Sequence, residues 1–275
     1  LRDLPPFHFA VIRMALACLL MAPLAWHRGT RRPTGAEKRW IAVSGLLQIG
    51  VSYAFVFLAS QWIESGLAAI LFCTFPIWVG LFGHYMLPHE PLTPLTLGSS
   101  ALGLVGVGVI EGPAIMHAVS AEPGPLFSGG LLVLVSAVVS AFTNVLNKKQ
   151  LAAVSPYQNV WGQTLVGSVF LGALAVLFER GAVLHWTRGS VFAVGYLALF
   201  GTAMSFAGLF WLIPRVPVSL VGTIPLTDTV IAVLLGAVIL GEKLSGRVLV
   251  GGLLILIGVL IAASGRRLPG VTGGA

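Results

Sequence analysis

Nine apolar stretches, each about as long as a bilayer is thick, occupy nearly all of this 275-residue chain. A helix crosses the hydrocarbon core with about 20 apolar residues. In lipid, only helices and closed barrels satisfy their own backbone hydrogen bonds. Charged residues make up 9% of the chain and hydrophobic ones 57%, whereas a soluble domain carries roughly 25% charge. Leu131–Val139 and Val230–Leu240 are apolar without alternation, so barrel strands are a poor fit. The expected fold class is all-α, a polytopic membrane helix bundle.

The spans are expected at Phe7–Trp26, Trp40–Ser60, Leu67–Met86, Leu95–Gly112, Phe127–Leu146, Gln158–Phe178, Val191–Ile213, Ser219–Leu240 and Gly246–Ser264. Leu1–Pro6 reads as a loop, Pro113–Leu126 as a linker and Gly265–Ala275 as a flexible tail. The net charge of +7 sits in short connectors, as is usual for membrane-protein loops, and does not indicate nucleic-acid binding. Cys18 and Cys73 lie inside apolar runs without partners at ligand spacing. They read as packing residues, with no metal or other cofactor implied. In alternate connectors, ten Lys and Arg stand against five. The positive-inside rule puts the richer set, and with it the C-terminus, in the cytoplasm.

The chain also echoes itself. His89-Glu90-Pro91-Leu92-Thr93 follows the third span, and Gly241-Glu242-Lys243-Leu244-Ser245 follows the eighth, 152 residues later. Leu102–Val107 and Leu254–Val259 match at the same offset. Five spans separate the copies, and an odd number inverts the second copy in the membrane. Two five-helix inverted repeats make ten spans, of which nine are visible, with the first helix absent from residues 1–112 and the second repeat at residues 127–264.

Several segments resemble the EamA-type transporters of the drug/metabolite transporter superfamily. Pro5–Arg13 resembles the start of the family's second helix, and Ser65–Leu71 through Phe75–Trp78 its fourth. The two Glu-x-Leu-Thr/Ser turns resemble its repeated turn, and Asn144–Lys148 the end of its sixth helix. His89 stands in place of the family's glycine, and Asp228-Thr229 where its ninth helix often has Glu-Pro or Ser-Pro. The resemblance implies ten helices around a central cavity. It also implies export of small metabolites, with neutral or aromatic amino acids the nearest substrate class, from the inner (plasma) membrane of a bacterium. It implies no enzyme activity. An intramembrane enzyme, a non-transporting scaffold, and a drug or sugar-metabolite exporter are the alternatives.

A transporter needs polar groups gathered on cavity-facing helix stripes at mid-depth. Ser136, Ser140 and Asn144 recur at four-residue spacing, as cavity lining or as hydrogen-bonding glue between helices. Ser44, Gln48 and Ser52 repeat that spacing, with Tyr53 one step around. An amide such as Gln48 must face protein or water. Asn159 and Gln163 lie four apart, as a gate element or as a helix cap. Thr74 and Trp78 share a face around Pro76, and Trp78 is either a wall for a ligand or core filling. Ser219, Thr223 and Thr227 form a stripe around Pro225 beside Asp228, the sole acid near the middle of any span. Asp228 binds a proton or a substrate ammonium, or else satisfies backbone freed near Pro225. Arg13 reads as snorkelling or packing. The glycines of Leu95–Gly112 and of Gly251, Gly252 and Gly258 read as close helix contacts that brace the bundle. The expected partners are a small-molecule solute, the lipid bilayer and protons.

Overall fold

The computed structural model describes residues 5–27, 31–63, 65–88, 90–112, 116, 123–182, 184–240 and 246–264. Every regular element among them is a helix. Seven helices are long and apolar enough to cross a membrane, and Pro94–Ile110 and Val218–Ile231 are shorter apolar ones. They fall on the nine stretches read from the sequence. The turn Gly241–Ser245, the tail, His89 and most of the linker lie outside the described residues.

The polarity of the bundle is that of a protein dissolved in lipid. Leu19, Val105, Val169, Phe192 and Leu260 face outward, while Ser44, Ser136, Gln163, Thr164 and Thr202 are fully buried. Water would favour the reverse, because a large exposed apolar surface is unfavourable in it.

Helix α1 spans Pro6–Ala25. Its first turn is capped by Glu179, whose carboxylate accepts from the Phe7 and His8 amides at 2.8 and 3.0 Å. Helix α2, Gly35–Gly45, starts earlier than Trp40 because Thr34 and Glu37 form a capping box. This satisfies two orphan donors at the start of the helix. A π-helical segment, Leu46–Val51, continues α2 into α3, Ser52–Ala59. The third span is two helices, α4 (Ser65–Phe72) and α5 (Phe75–Met86), interrupted at Cys73 and Thr74. Helix α6 is Pro94–Ile110, and α7 runs over Pro123–Leu151, past the expected end at Leu146. Then follow α8 (Pro156–Phe178) and α9 (Arg188–Ala198), a second π segment at Leu199–Met204, and α10 (Ser205–Leu212). A second broken span comprises α11 (Val218–Gly222) and α12 (Ile224–Leu240), and α13 is Gly246–Ser264.

The order of elements repeats. After α1 and again after α8 come a helix carrying a π segment, a helix broken just before a proline, and a glycine-rich helix. Each break is closed in the same way. Thr74 and Thr223, each two residues before the proline, donate their hydroxyls to the carbonyls of Leu71 and Leu220, both at 2.8 Å. Corresponding helices also pack on one another, α1 on α8 and α6 on α13, and the two broken spans meet where α5 packs on α11.

Small residues permit these contacts. A Cβ on Gly106 would meet the Gly251 carbonyl oxygen at 2.6 Å, and one on Gly251 would meet that of Gly106 at 2.5 Å. The braced pair expected from the sequence is therefore α6 against α13. It uses Gly103, Gly106, Gly251 and Gly258, whereas Gly108, Gly112 and Gly252 have nothing within 4 Å of an added Cβ.

Candidate functional site

Between the two series of helices lies a cavity of about 650 Å³, within the usual range of roughly 300–1,000 Å³ for small-molecule sites. The π segment and α3 contribute Gln48, Ser52, Tyr53, Val56 and Ser60 to its wall. Helix α4 and the break after it supply Ala68, Ala69, Phe72 and Cys73. Helix α7 supplies Val133 and Ser140, α10 supplies Phe206, and α12 supplies Pro225, Asp228 and Thr229. The cavity extends from mid-depth at Gln48 and Ser140 toward the end of the bundle where α3 stops at Ser60. This is the Ser60 end, and the opposite one, where α7 finishes beside Lys148, is the Lys148 end.

The local backbone explains this wall. A π turn skips a register, which lets one helix present side chains on two faces and frees carbonyls. In the second π segment, Thr202 Oγ1 donates to the Leu197 carbonyl and Ser205 Oγ to that of Phe200, each five residues back. Arg13 donates to the Gly201 carbonyl at 2.9 Å and from Nε to Thr202 Oγ1 at 2.7 Å. Its guanidinium carbon stands 5.9 Å from the Tyr53 ring centroid. Arg13 thus points inward, locking the second π segment onto α1 rather than snorkelling.

From the cavity floor a polar column continues toward the Lys148 end. Ser52 Oγ lies 2.7 Å from both Ser136 Oγ and Ser140 Oγ, and Gln48 Nε2 donates to Ser140 Oγ at 3.4 Å. One turn on, Asn144 Nδ2 donates to the Ser140 carbonyl at 2.8 Å. Gln163 Nε2 donates to Asn147 Oδ1 and Asn159 Oδ1 at 3.0 and 2.8 Å. The column is buried throughout, yet Ser44 Oγ, Gln48 Oε1, Asn144 Oδ1, Asn147 Nδ2 and Gln163 Oε1 find no hydrogen-bond partner among the described residues. Each such atom costs about 1–3 kcal/mol when sealed away from water.

The Lys148 end is closed. Glu90, in the connector after α5, accepts from the Val218 amide at 2.6 Å and pairs with Lys148 Nζ at 2.5 Å. Lys148 also donates to the Val216 carbonyl. Beneath this junction, Phe75, Val79, Ala137, Ala141, Val145 and Val218 form a buried apolar cluster.

The sequence profile of the EamA-like transporter family matches residues 1–111 and 127–264. The chain belongs to the EamA-like transporter family. It is 25% identical to YoaV of Bacillus subtilis (strain 168), named an uncharacterized transporter, over 95% of this chain and 88% of that protein. It is 28% identical to YedA of Escherichia coli (strain K12), named an uncharacterized inner membrane transporter, over 88% of this chain and 76% of that one. A crystal structure superposes with a TM-score of 0.80 at 21% identity, covering 96% of this chain and 90% of its own. That likeness speaks for the fold. As an EamA-like transporter, the protein works in a lipid bilayer on a small-molecule substrate.

Within this EamA-like chain the residues singled out from sequence divide into three groups. Gln48, Tyr53, Ser140 and Asp228 line the cavity. Asn144 and Gln163 belong to the buried column below it. Thr74, Trp78, Thr223 and Thr227 lie outside the cavity lining and form helix hydrogen bonds: Trp78 Nε1 donates to Thr74 Oγ1 at 3.3 Å, and Thr227 to the Thr223 carbonyl at 3.1 Å. Asp228 is exposed and takes no ion pair or hydrogen bond from the described residues. The apolar part of the wall, Val56, Phe72, Val133 and Phe206, carries no polar signal in the sequence. Its one trace is spacing, since Ala68 and Phe72 share a helix face four residues apart.

Proposed function

We propose that this transporter exports neutral or aromatic amino acids, or metabolites of similar size, by alternating access. The cavity supports this reading most directly. Its lining combines one carboxylate, Asp228, with amide and hydroxyl groups at Gln48, Ser52 and Ser140 and apolar side chains at Phe72 and Phe206. An ammonium group suits Asp228, a carboxylate suits the hydroxyl and amide donors, and an apolar side chain suits the phenylalanines.

Two inverted repeats, residues 1–112 and 127–264, rock about this site. The match of the family profile to two regions and the repeated order of elements support that division. The excess of Lys and Arg supports a cytoplasmic Lys148 end and C-terminus. The inner-membrane name of the Escherichia coli relative supports a bacterial inner membrane. Asp228 serves as the coupling group, binding a proton on one side and exchanging it for the solute's ammonium on the other.

Counterflow of a panel of labelled amino acids into proteoliposomes, with and without a pH gradient, tests the reading. The expected result is exchange of at least one neutral or aromatic amino acid, accelerated by the gradient. Asp228→Asn is expected to remove the acceleration by the gradient. Unchanged gradient-driven flux in that variant eliminates the proton role. Exchange confined to sugars or cationic drugs eliminates the substrate class.

A further inference from the structure

One Glu-x-Leu-Thr turn is embedded in the closed end of the bundle. Glu90 uses both carboxylate oxygens there: one faces Lys148 Nζ at 2.5 Å and the other accepts the Val218 N–H at 2.6 Å. Lys148 reaches on to the Val216 carbonyl. Both side chains are largely buried, at 14% and 16% exposure. The junction joins the two family-matched regions, since Glu90 belongs to the first and Lys148, Val216 and Val218 to the second. Directly below it, a Cβ on Gly83 would lie 2.8 Å from Val218 Cγ1, so α5 and α11 touch without a spacer.

Behind the junction an apolar cluster around Val79 and Val218 stands beside a polar column. A permanent seal needs no such column, yet Ser44, Gln48, Asn144, Asn147 and Gln163 each keep a buried polar atom without a partner among the described residues. Such atoms suit a surface that meets water or solute in a second state. We propose that Glu90 and Lys148 are the latch of the inner gate. In this inference, which rests on the carrier reading, they hold the Lys148 end shut over a polar column that becomes the other half of the route when they part. A carboxylate shared between a cation and a helix amide makes the latch two-state, because losing either contact weakens the hold on the other.

The test uses Ser44→Cys in a background with Cys18 and Cys73 replaced by alanine. Labelling by a membrane-impermeant maleimide is followed from the face that bears Lys148. The parent is expected to react slowly. Lys148→Met and Glu90→Ala are expected to react roughly tenfold faster, as a shifted gate equilibrium requires. Glu90→Gln keeps an acceptor for Val218 but loses the charge, and is expected to fall between the parent and these two variants. Unchanged labelling in both Lys148→Met and Glu90→Ala, with monodisperse protein, overturns the latch. Should either variant misfold, a Gly83→Cys/Val218→Cys pair supplies a second measurement. Its disulfide is expected to stop labelling from that face, and reductant to restore it. Labelling indifferent to this disulfide overturns the latch as well. The readout needs no solute, so fast labelling of Lys148→Met in a protein that carries no amino acid refutes the amino-acid substrate class and leaves the latch standing.

Discussion

Gln48 meets two demands with one amide. Its Nε2 ties α7 to the first π segment through Ser140, while the buried Oε1 of this cavity-lining residue has no partner among the described residues. A solute donor reaching that oxygen gains a hydrogen bond the protein does not otherwise make. Gln48→Ala is therefore expected to raise the apparent KM for transport about fivefold, the equivalent of about 1 kcal/mol for one net hydrogen bond. The initial rate of solute exchange across a concentration series measures this. Residues of this kind were legible in the sequence, because an amide or carboxylate inside an apolar run has no bland solvent to face. Gln48 and Asp228 stood out for that reason, and Ser140 through its four-residue spacing with Ser136 and Asn144. Thr74 and Thr223 show the limit of the signal. A threonine near a proline carries the same polarity, but here its hydroxyl serves the carbonyls of a helix break. Arg13 was harder still, since its partners are a carbonyl and a hydroxyl on a helix nearly two hundred residues away in sequence.

At the scale of helices, the packing of α8 against the first π segment depends on the absence of side chains. A Cβ on Gly167 would stand 2.3 Å from Ile49 Cγ2, whereas one on Gly172 in the same helix meets nothing within 4 Å. Gly167→Ala is expected to destabilise the protein by about 1–3 kcal/mol through overpacking. Gly172→Ala is expected to be neutral or to stabilise by up to ~1 kcal/mol through helix propensity. Thermal unfolding midpoints in detergent distinguish the two. The existence and order of the helices were legible because bilayer thickness imposes span lengths on the apolar runs. The π segments were not. Leu46–Val51 and Leu199–Met204 have the same apolar composition as an α-helix, and the extra residue per turn is imposed by neighbours across the bundle. The breaks at Thr74 and Thr223 were half legible. Proline marked the position, but not that each span becomes two helices.

On the scale of the whole molecule, the described helices form two series with the same order of elements, and corresponding members pack together. The cavity between them reaches toward the Ser60 end, and the Glu90–Lys148 junction closes the other. In the proposed cycle of alternating access, this is one pose, with the other exposing the central site to the opposite side. The repeated turns and glycine-rich helices are the features of the sequence from which the proposed duplication is read. Which end is closed is a property of the packed state and has no counterpart in composition or period. The central claim is that the floor of the cavity lies on a route through the membrane. Its most direct test is two-sided labelling of Ser140→Cys in the cysteine-free background, with an impermeant maleimide applied to right-side-out and to inverted vesicles. Modification from both faces, each slowed by transported solute, is the predicted result. Modification from one face alone, under every pH and solute condition, contradicts the account and makes the cavity a dead-end pocket.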